Sequence, residues 1–257
     1  MPGVTHTPHD FTTADGVCHA HVFTPDTPGP WPAVLVFMDG IGIRPTLFDH
    51  CARLAAAGYV VLLPDLFYRS GPYDPVDPAK LLSDPAVRGA WFARHAPTTN
   101  SANIMRDTAV FLDFLRDERV RRQGRDDDAA LRVGVVGYCM GGRMAMIAAG
   151  TYPDRIAAAA AYHPANLADA NPDSPHLLAA NIQARVYVAA ATDDASFPDE
   201  QKLRFTEALT AAGVDHTLET YPARHGWVFR DIPVHDVACS ERHWDSLLAL
   251  FAGTLRG

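Results

Sequence analysis

Five nearly continuous apolar runs, residues 33–38, 59–63, 132–137, 156–162 and 185–189, recur along this chain without the apolar-polar alternation of a half-solvated strand. Strands of that kind are covered on both faces, which is the condition of a parallel sheet between layers of helices. Segments of helical period fall near residues 45–57, 103–120, 141–152, 198–212 and 237–255. Strands that alternate with helices define an α/β, doubly wound, mostly parallel sheet. Two alternating segments, residues 9–13 and 17–23, flank Ala14-Asp15-Gly16 and predict an N-terminal β-hairpin ahead of it.

Residues 64–97 interrupt this rhythm with Pro64, Pro72, Pro75, Pro78, Pro85 and Pro97. A connection of this length reads as an excursion over the C-terminal edges of the strands, where open α/β sheets bind ligands. With no linker-like shift in composition, residues 1–257 read as a single domain. Lys and Arg number 22 against 30 Asp and Glu, a net charge of −8, so there is no basic stripe for nucleic acid. No stretch approaches the ~20 apolar residues of a membrane crossing, and the MPGVTHTPHD start has no leader pattern, so the expected compartment is the cytoplasm. Cys18, Cys51, Cys139 and Cys239 form no CxxC pair, which fits a reducing setting and excludes a zinc knuckle. His19 and His21 share one face of a strand but lack a third ligand. Asp126-Asp127-Asp128 lacks the Gly and terminal Glu of a calcium loop and reads as a solvated turn. No phosphate-cradling glycine motif follows a strand, so nucleotide and dinucleotide sites have no motif support.

The most informative residues are Gly137-Tyr138-Cys139-Met140-Gly141-Gly142, placed directly after an apolar strand and before a helical run. A nucleophile on a sharp strand-to-helix turn has a strained backbone, and flanking glycines let that turn close. Cys139 then sits at a helix N-terminus, where the dipole favours a thiolate and the Met140 N–H can face a developing oxyanion. The bland alternative is a buried, inert cysteine in a glycine-rich turn.

A cysteine nucleophile needs a base, and the base needs an orienting acid. In the α/β-hydrolase order these follow as nucleophile, acid, histidine. Asp194 comes just past the strand near residues 185–189, in competition with Asp193, and His225 follows the segment 216–221. His163, His176, His216, His235 and His243 are rivals for the base, and His163 precedes the acid and breaks the order.

On these residues the chain resembles the dienelactone hydrolase family of α/β hydrolases, from the strand at Ala33 to the last helix. The resemblance rests on Gly137 to Gly142, on Asp194 with Pro198 four residues on, and on His225-Gly226. It implies an α/β-hydrolase fold and hydrolysis of a lactone or carboxylic ester through a Cys139-His225-Asp194 triad and an acyl-enzyme, without a metal or organic cofactor. Asp39-Gly40-Ile41-Gly42 looks like the family's oxyanion loop, so the hole would be the N–H groups of Gly40 and Met140. Asp39 replaces the family's Glu beside the nucleophile, one methylene shorter, and is expected to pair with the resting thiol if it reaches it.

The family's arginine four residues after the histidine is Phe229 here, so Arg230, Arg224, Arg69, Arg88 and Arg94 are the candidates for gripping a substrate carboxylate, against solvated surface roles for each. Tyr68, Tyr73, Trp91 and Phe92 are candidates for an apolar acyl pocket, against packing of the long excursion onto the domain. The expected partner is a small ester or lactone, with no nucleic acid and no membrane, and the chain is expected to be a monomer or small homo-oligomer. The alternative function is a non-catalytic thiol sensor or ligand-binding member of the same fold.

Overall fold

The computed structural model describes residues 3–123 and 132–256. The Asp126 to Asp128 turn lies outside the described residues. Eight strands form one sheet in the order β1-β2-β4-β3-β5-β6-β7-β8. They are β1 (Val4–Thr13), β2 (Gly16–Pro25), β3 (Ala33–Phe37), β4 (Val60–Pro64), β5 (Val133–Tyr138), β6 (Ile156–Tyr162), β7 (Arg185–Ala191) and β8 (His216–Tyr221). The hairpin β1-β2 is antiparallel and joins β4 antiparallel, while β4, β3, β5, β6, β7 and β8 run parallel. The doubly wound sheet with its N-terminal hairpin is therefore present, and the hairpin strands extend beyond the two alternating segments because residues 4–8 and 24–25 keep pairing.

Among the described residues, seven α-helices accompany the strands: α1 (Pro45–Ala56), α2 (Pro78–Ser83), α3 (Pro85–His95), α4 (Ser101–Gln123), α5 (Met140–Thr151), α6 (Asp199–Ala211) and α7 (Val237–Leu255). Packing of α1 against β2 and β4, and of α7 against β5, β6 and β7, covers one face of the sheet, and α4 and α5 cover the other. Every residue of β3, β4, β5 and β6 is buried, as their unbroken apolar runs require. The alanines of β6 keep both helical layers close. A Cβ on Gly142 would stand 3.3 Å from the Ala161 Cβ, and one on Gly134 would meet the Phe251 ring at 2.8 Å.

The excursion contains two helices that periodicity does not predict. Both begin on proline at the first helical position, where the missing N–H costs nothing. Asp77 accepts from Ala79 N–H, and Asp84 accepts from Ala86 and Val87 N–H. The prolines that read as interruptions thus start α2 and α3, and their aspartates cap them. These helices bring Trp91 and Phe92 over the loop that follows β3.

Candidate active site

β5 ends at Tyr138 and α5 starts at Met140, which leaves Cys139 alone to turn the chain, with φ 54° and ψ −117°. A non-glycine residue held in that region costs about 1–3 kcal/mol and persists only where neighbours over-determine it. They do so here. A Cβ on Gly137 would lie 1.9 Å from the Gly141 carbonyl oxygen, and one on Gly141 would lie 2.3 Å from that of Phe37. The Cys139 N–H donates to Tyr162 O at 3.2 Å, and its carbonyl accepts from Gly142 and Ala165 N–H at 3.1 and 3.3 Å. The half-buried thiol therefore stands at the α5 N-terminus beside the end of β3.

Asp194 and His225 arrive from the loops after β7 and β8, which are tied together where Thr192 donates to Ala223 O (3.0 Å) and to Tyr221 O (2.9 Å). His225 Nδ1 donates to Asp194 Oδ2 at 2.7 Å, and Asp194 Oδ1 accepts from Ser196 N–H at 2.8 Å. Of the two competing aspartates, Asp194 carries this contact, while Asp193 is exposed with φ 51°. Burial works against the His225 imidazolium, but the Cys139 thiolate charge and hydrogen bonds with Asp194 and Cys139 push its pKa up to about 10. For Asp194, burial would raise the carboxyl, and the hydrogen bond and charge of His225 outweigh it and hold the group below its usual range.

The rival His163 lies directly behind this group. It is buried at φ 38°, its ring centroid 5.0 Å from that of His225 and 5.0 Å from that of Trp227. Burial and the neighbouring charge of His225 keep it neutral.

The loop after β3 places Gly40 near the elbow, with Trp91 Nε1 donating to Gly40 O at 2.9 Å. Among the described residues, neither Gly40 nor Met140 N–H makes a backbone hydrogen bond. Asp39 behaves differently from the pairing with the thiol that the resemblance implies. Arg44 takes both its oxygens, at 2.7 and 2.9 Å, and Ile41 N–H donates to Oδ1 at 3.0 Å. Arg44 also donates to Asp231 Oδ2 at 2.7 Å and stacks over Phe229 at 4.7 Å. A buried carboxylate one methylene short of Glu thus finds its counter-charge in its own loop.

Of the arginine candidates, Arg224 is exposed in a depression with Asp194 and His225, Arg94 donates to Pro72 O, and the others lie elsewhere. Arg69 is spent on Asp107, at 2.7 and 2.8 Å, and on Asp15 at 2.6 Å. Arg88 is exposed and reaches Leu82 O, and Arg230 is exposed and pairs with Asp49. Tyr68 bonds Thr13 and Asp107 and lines a separate depression with His19 and Asp65. Of the aromatic candidates, Tyr73, Trp91 and Phe92 adjoin the loop after β3. Sequence reasoning misses Arg44, and also Arg143, which helical spacing places one turn beyond Cys139.

Comparison with known proteins bears on the family and the fold. The family model described as the dienelactone hydrolase family matches residues 18–255. The Escherichia coli (strain K12) protein called "Putative carboxymethylenebutenolidase" is 27% identical over 237 residues, covering 90% of this chain and 80% of that protein. Among solved structures, "Putative Dienelactone Hydrolase from Klebsiella pneumoniae subsp. pneumoniae MGH 78578" has a TM-score of 0.80 at 24% identity, covering 97% of this chain and 99% of that one. Dienelactone hydrolase from Anabaena variabilis ATCC 29413 has a TM-score of 0.68 at 16% identity, covering 98% and 99%. The two structures show a shared fold, that of the α/β hydrolases. The chain belongs to the dienelactone hydrolase family and is a hydrolase of that fold. No helix among the described residues is long and apolar enough to cross a membrane.

Proposed function

We propose that this protein hydrolyses a carboxylic ester or lactone through Cys139, with His225 as base and Asp194 as its orienting acid. His225 takes the proton of the Cys139 thiol, the resulting thiolate attacks the substrate carbonyl, and the oxyanion is held by the N–H groups of Gly40 and Met140. Collapse of that intermediate forms a thioester to Cys139 and expels the alcohol, which takes its proton from His225. Water, giving a proton to His225, then releases the acid and restores the thiolate. A thiolate leaves a tetrahedral intermediate more readily than an amine does, so esters, thioesters and lactones are the substrates and amides are poor ones.

The observation that carries this reading is the convergence on one bend of three residues from loops far apart in the chain. The Asp194–His225 bond is 2.7 Å, and Cys139 raises the pKa of the same imidazole. With 4-nitrophenyl esters and a simple lactone, Cys139→Ala is expected to lower kcat by at least about a thousandfold, and Asp194→Asn by about a hundredfold or more. An alanine variant that keeps wild-type turnover would sink the proposal. Stoichiometric labelling of Cys139 without multiple turnover would point to the thiol-sensor alternative.

A further inference from the structure

Alongside the first turns of α5 runs a cleft of about 560 Å³, whose apolar wall includes Phe92, Met140 and Met144 and whose polar wall includes Arg143, Asp169 and Asp173. It is lined by Met140 and not by His225. A leaving alcohol that takes its proton from His225 departs on the histidine side, so the acyl group that stays on sulfur extends into this cleft. What the cleft tolerates therefore decides the acid half of the substrate.

Arg143 is its one lining arginine among the described residues, and its charge is spent. The guanidinium donates to Asp173 Oδ1 at 2.8 Å and to Asn166 O, and lies 3.5 Å from Asp169 Oδ1, with the side chain only 11% exposed. Asp173 is fixed in turn by the Ser101 hydroxyl at 2.5 Å, and Asp169 by Asn171 Nδ2 at 2.6 Å. Two carboxylates against one guanidinium leave this wall with a net negative charge.

His95, on the same wall, adds no positive charge. The Ser70 hydroxyl donates to Phe67 O at 2.7 Å, so the 2.6 Å contact between Ser70 Oγ and His95 Nδ1 must be donated by the imidazole. Nε2 then carries a lone pair and has no partner, and burial together with the charge of Arg94 keeps the ring neutral. On the Gly40 side, Arg44 is saturated by Asp39 and Asp231. Arg224 lies on the histidine side, in a depression it shares with Asp193, Asp194 and His225, and does not line this cleft.

We infer that this cleft receives an uncharged acyl chain, and that the Arg143–Asp169–Asp173 cluster excludes substrates whose acid half carries a second carboxylate. The inference rests on the hydrolase reading above for its acyl orientation. Its observational core is a wall that offers acceptors and a pre-paired cation where an anion would need an open one.

The test compares 4-nitrophenyl hexanoate with mono-(4-nitrophenyl) adipate, which differ in a terminal methyl against a carboxylate, at low ionic strength. The expected kcat/KM ratio favours the hexanoate by about tenfold or more, the scale of one like charge at this range in a partly screened site. Asp173→Asn, at a half-exposed position where folding is not at risk, is expected to narrow the ratio at least about threefold, and Arg143→Gln to widen it. An adipate ester hydrolysed as fast as the hexanoate overturns the inference, as does a ratio that neither substitution moves. Alkylation of Cys139 by N-ethylmaleimide against 3-maleimidopropionate, followed by mass spectrometry, reads the same discrimination without turnover. A protein that hydrolyses neither ester yet alkylates faster with the neutral reagent loses the proposed function and keeps the charge-selective cleft. One that hydrolyses both esters equally keeps the function and loses the cleft.

Discussion

His225 stands between a carboxylate and a thiol, and its proton belongs to the group of three more than to the ring. Burial alone would drive it off, and the thiolate charge is the largest influence that keeps it on. Replacing the sulfur should therefore lower the His225 pKa from about 10, visible as an earlier imidazole titration by NMR in Cys139→Ala. An unchanged titration would mean the two side chains are uncoupled. The sign for stability follows from the same shift. Because the folded pKa lies above the ordinary 6.5, the stabilisation is complete below pH 6.5 and disappears as pH rises through about 10. Asp194 acts at the other end, since its lowered pKa gives stabilisation that is present above pH 3.8 and lost as pH falls through the folded value. The grouping of Cys139, Asp194 and His225, the proposed triad, is legible in the sequence, because an elbow is written in contiguous residues and its partners in their order along the chain. The capture of Asp39 by Arg44 was not, since residue type says nothing of which cation a short carboxylate will reach.

Helix α5 and strand β5 meet through glycines whose roles differ from those at ordinary turns. Gly137→Ala forces a Cβ into the Gly141 carbonyl at 1.9 Å, backbone against backbone, and is expected to destabilise by about 3 kcal/mol or more. Gly213→Ala is the control, because φ is +71° and nothing lies within 4 Å, so only the left-handed strain of about 1 kcal/mol applies. Urea midpoints for the two variants separate collision from conformational strain, and equal losses would contradict the assignment. The buried strands were readable from unbroken apolar runs, and α7 (Val237–Leu255) from its helical period. Helices α2 and α3 were hidden by the prolines that begin them, although Asp77-Pro78 and Asp84-Pro85 carried the capping signal in plain sequence.

Across the whole molecule, the loops at the C-terminal edge of the sheet converge because charged groups bind them to one another. Arg44, from the segment after β3, holds Asp39 in its own loop and Asp231 from the segment after β8, with the arginine and Asp39 side chains each 4% exposed. Arg44→Met strands Asp39 in the interior, at an expected cost of about 3–5 kcal/mol, measurable in urea unfolding. A loss below about 1 kcal/mol would show that the two loops hold their places without it. None of these long-range ties has a local signature in the sequence, and Asp169 and Asp173 meet Arg143 only because the chain folds back past the elbow. The bend at Cys139 is shaped by Gly137, Gly141 and the end of β3, none of which touches the chemistry itself. The perch is thus independent of its occupant: oxygen in place of sulfur would be presented at the same spot, so a lineage built on this scaffold can trade one reactive element for another without rebuilding its frame.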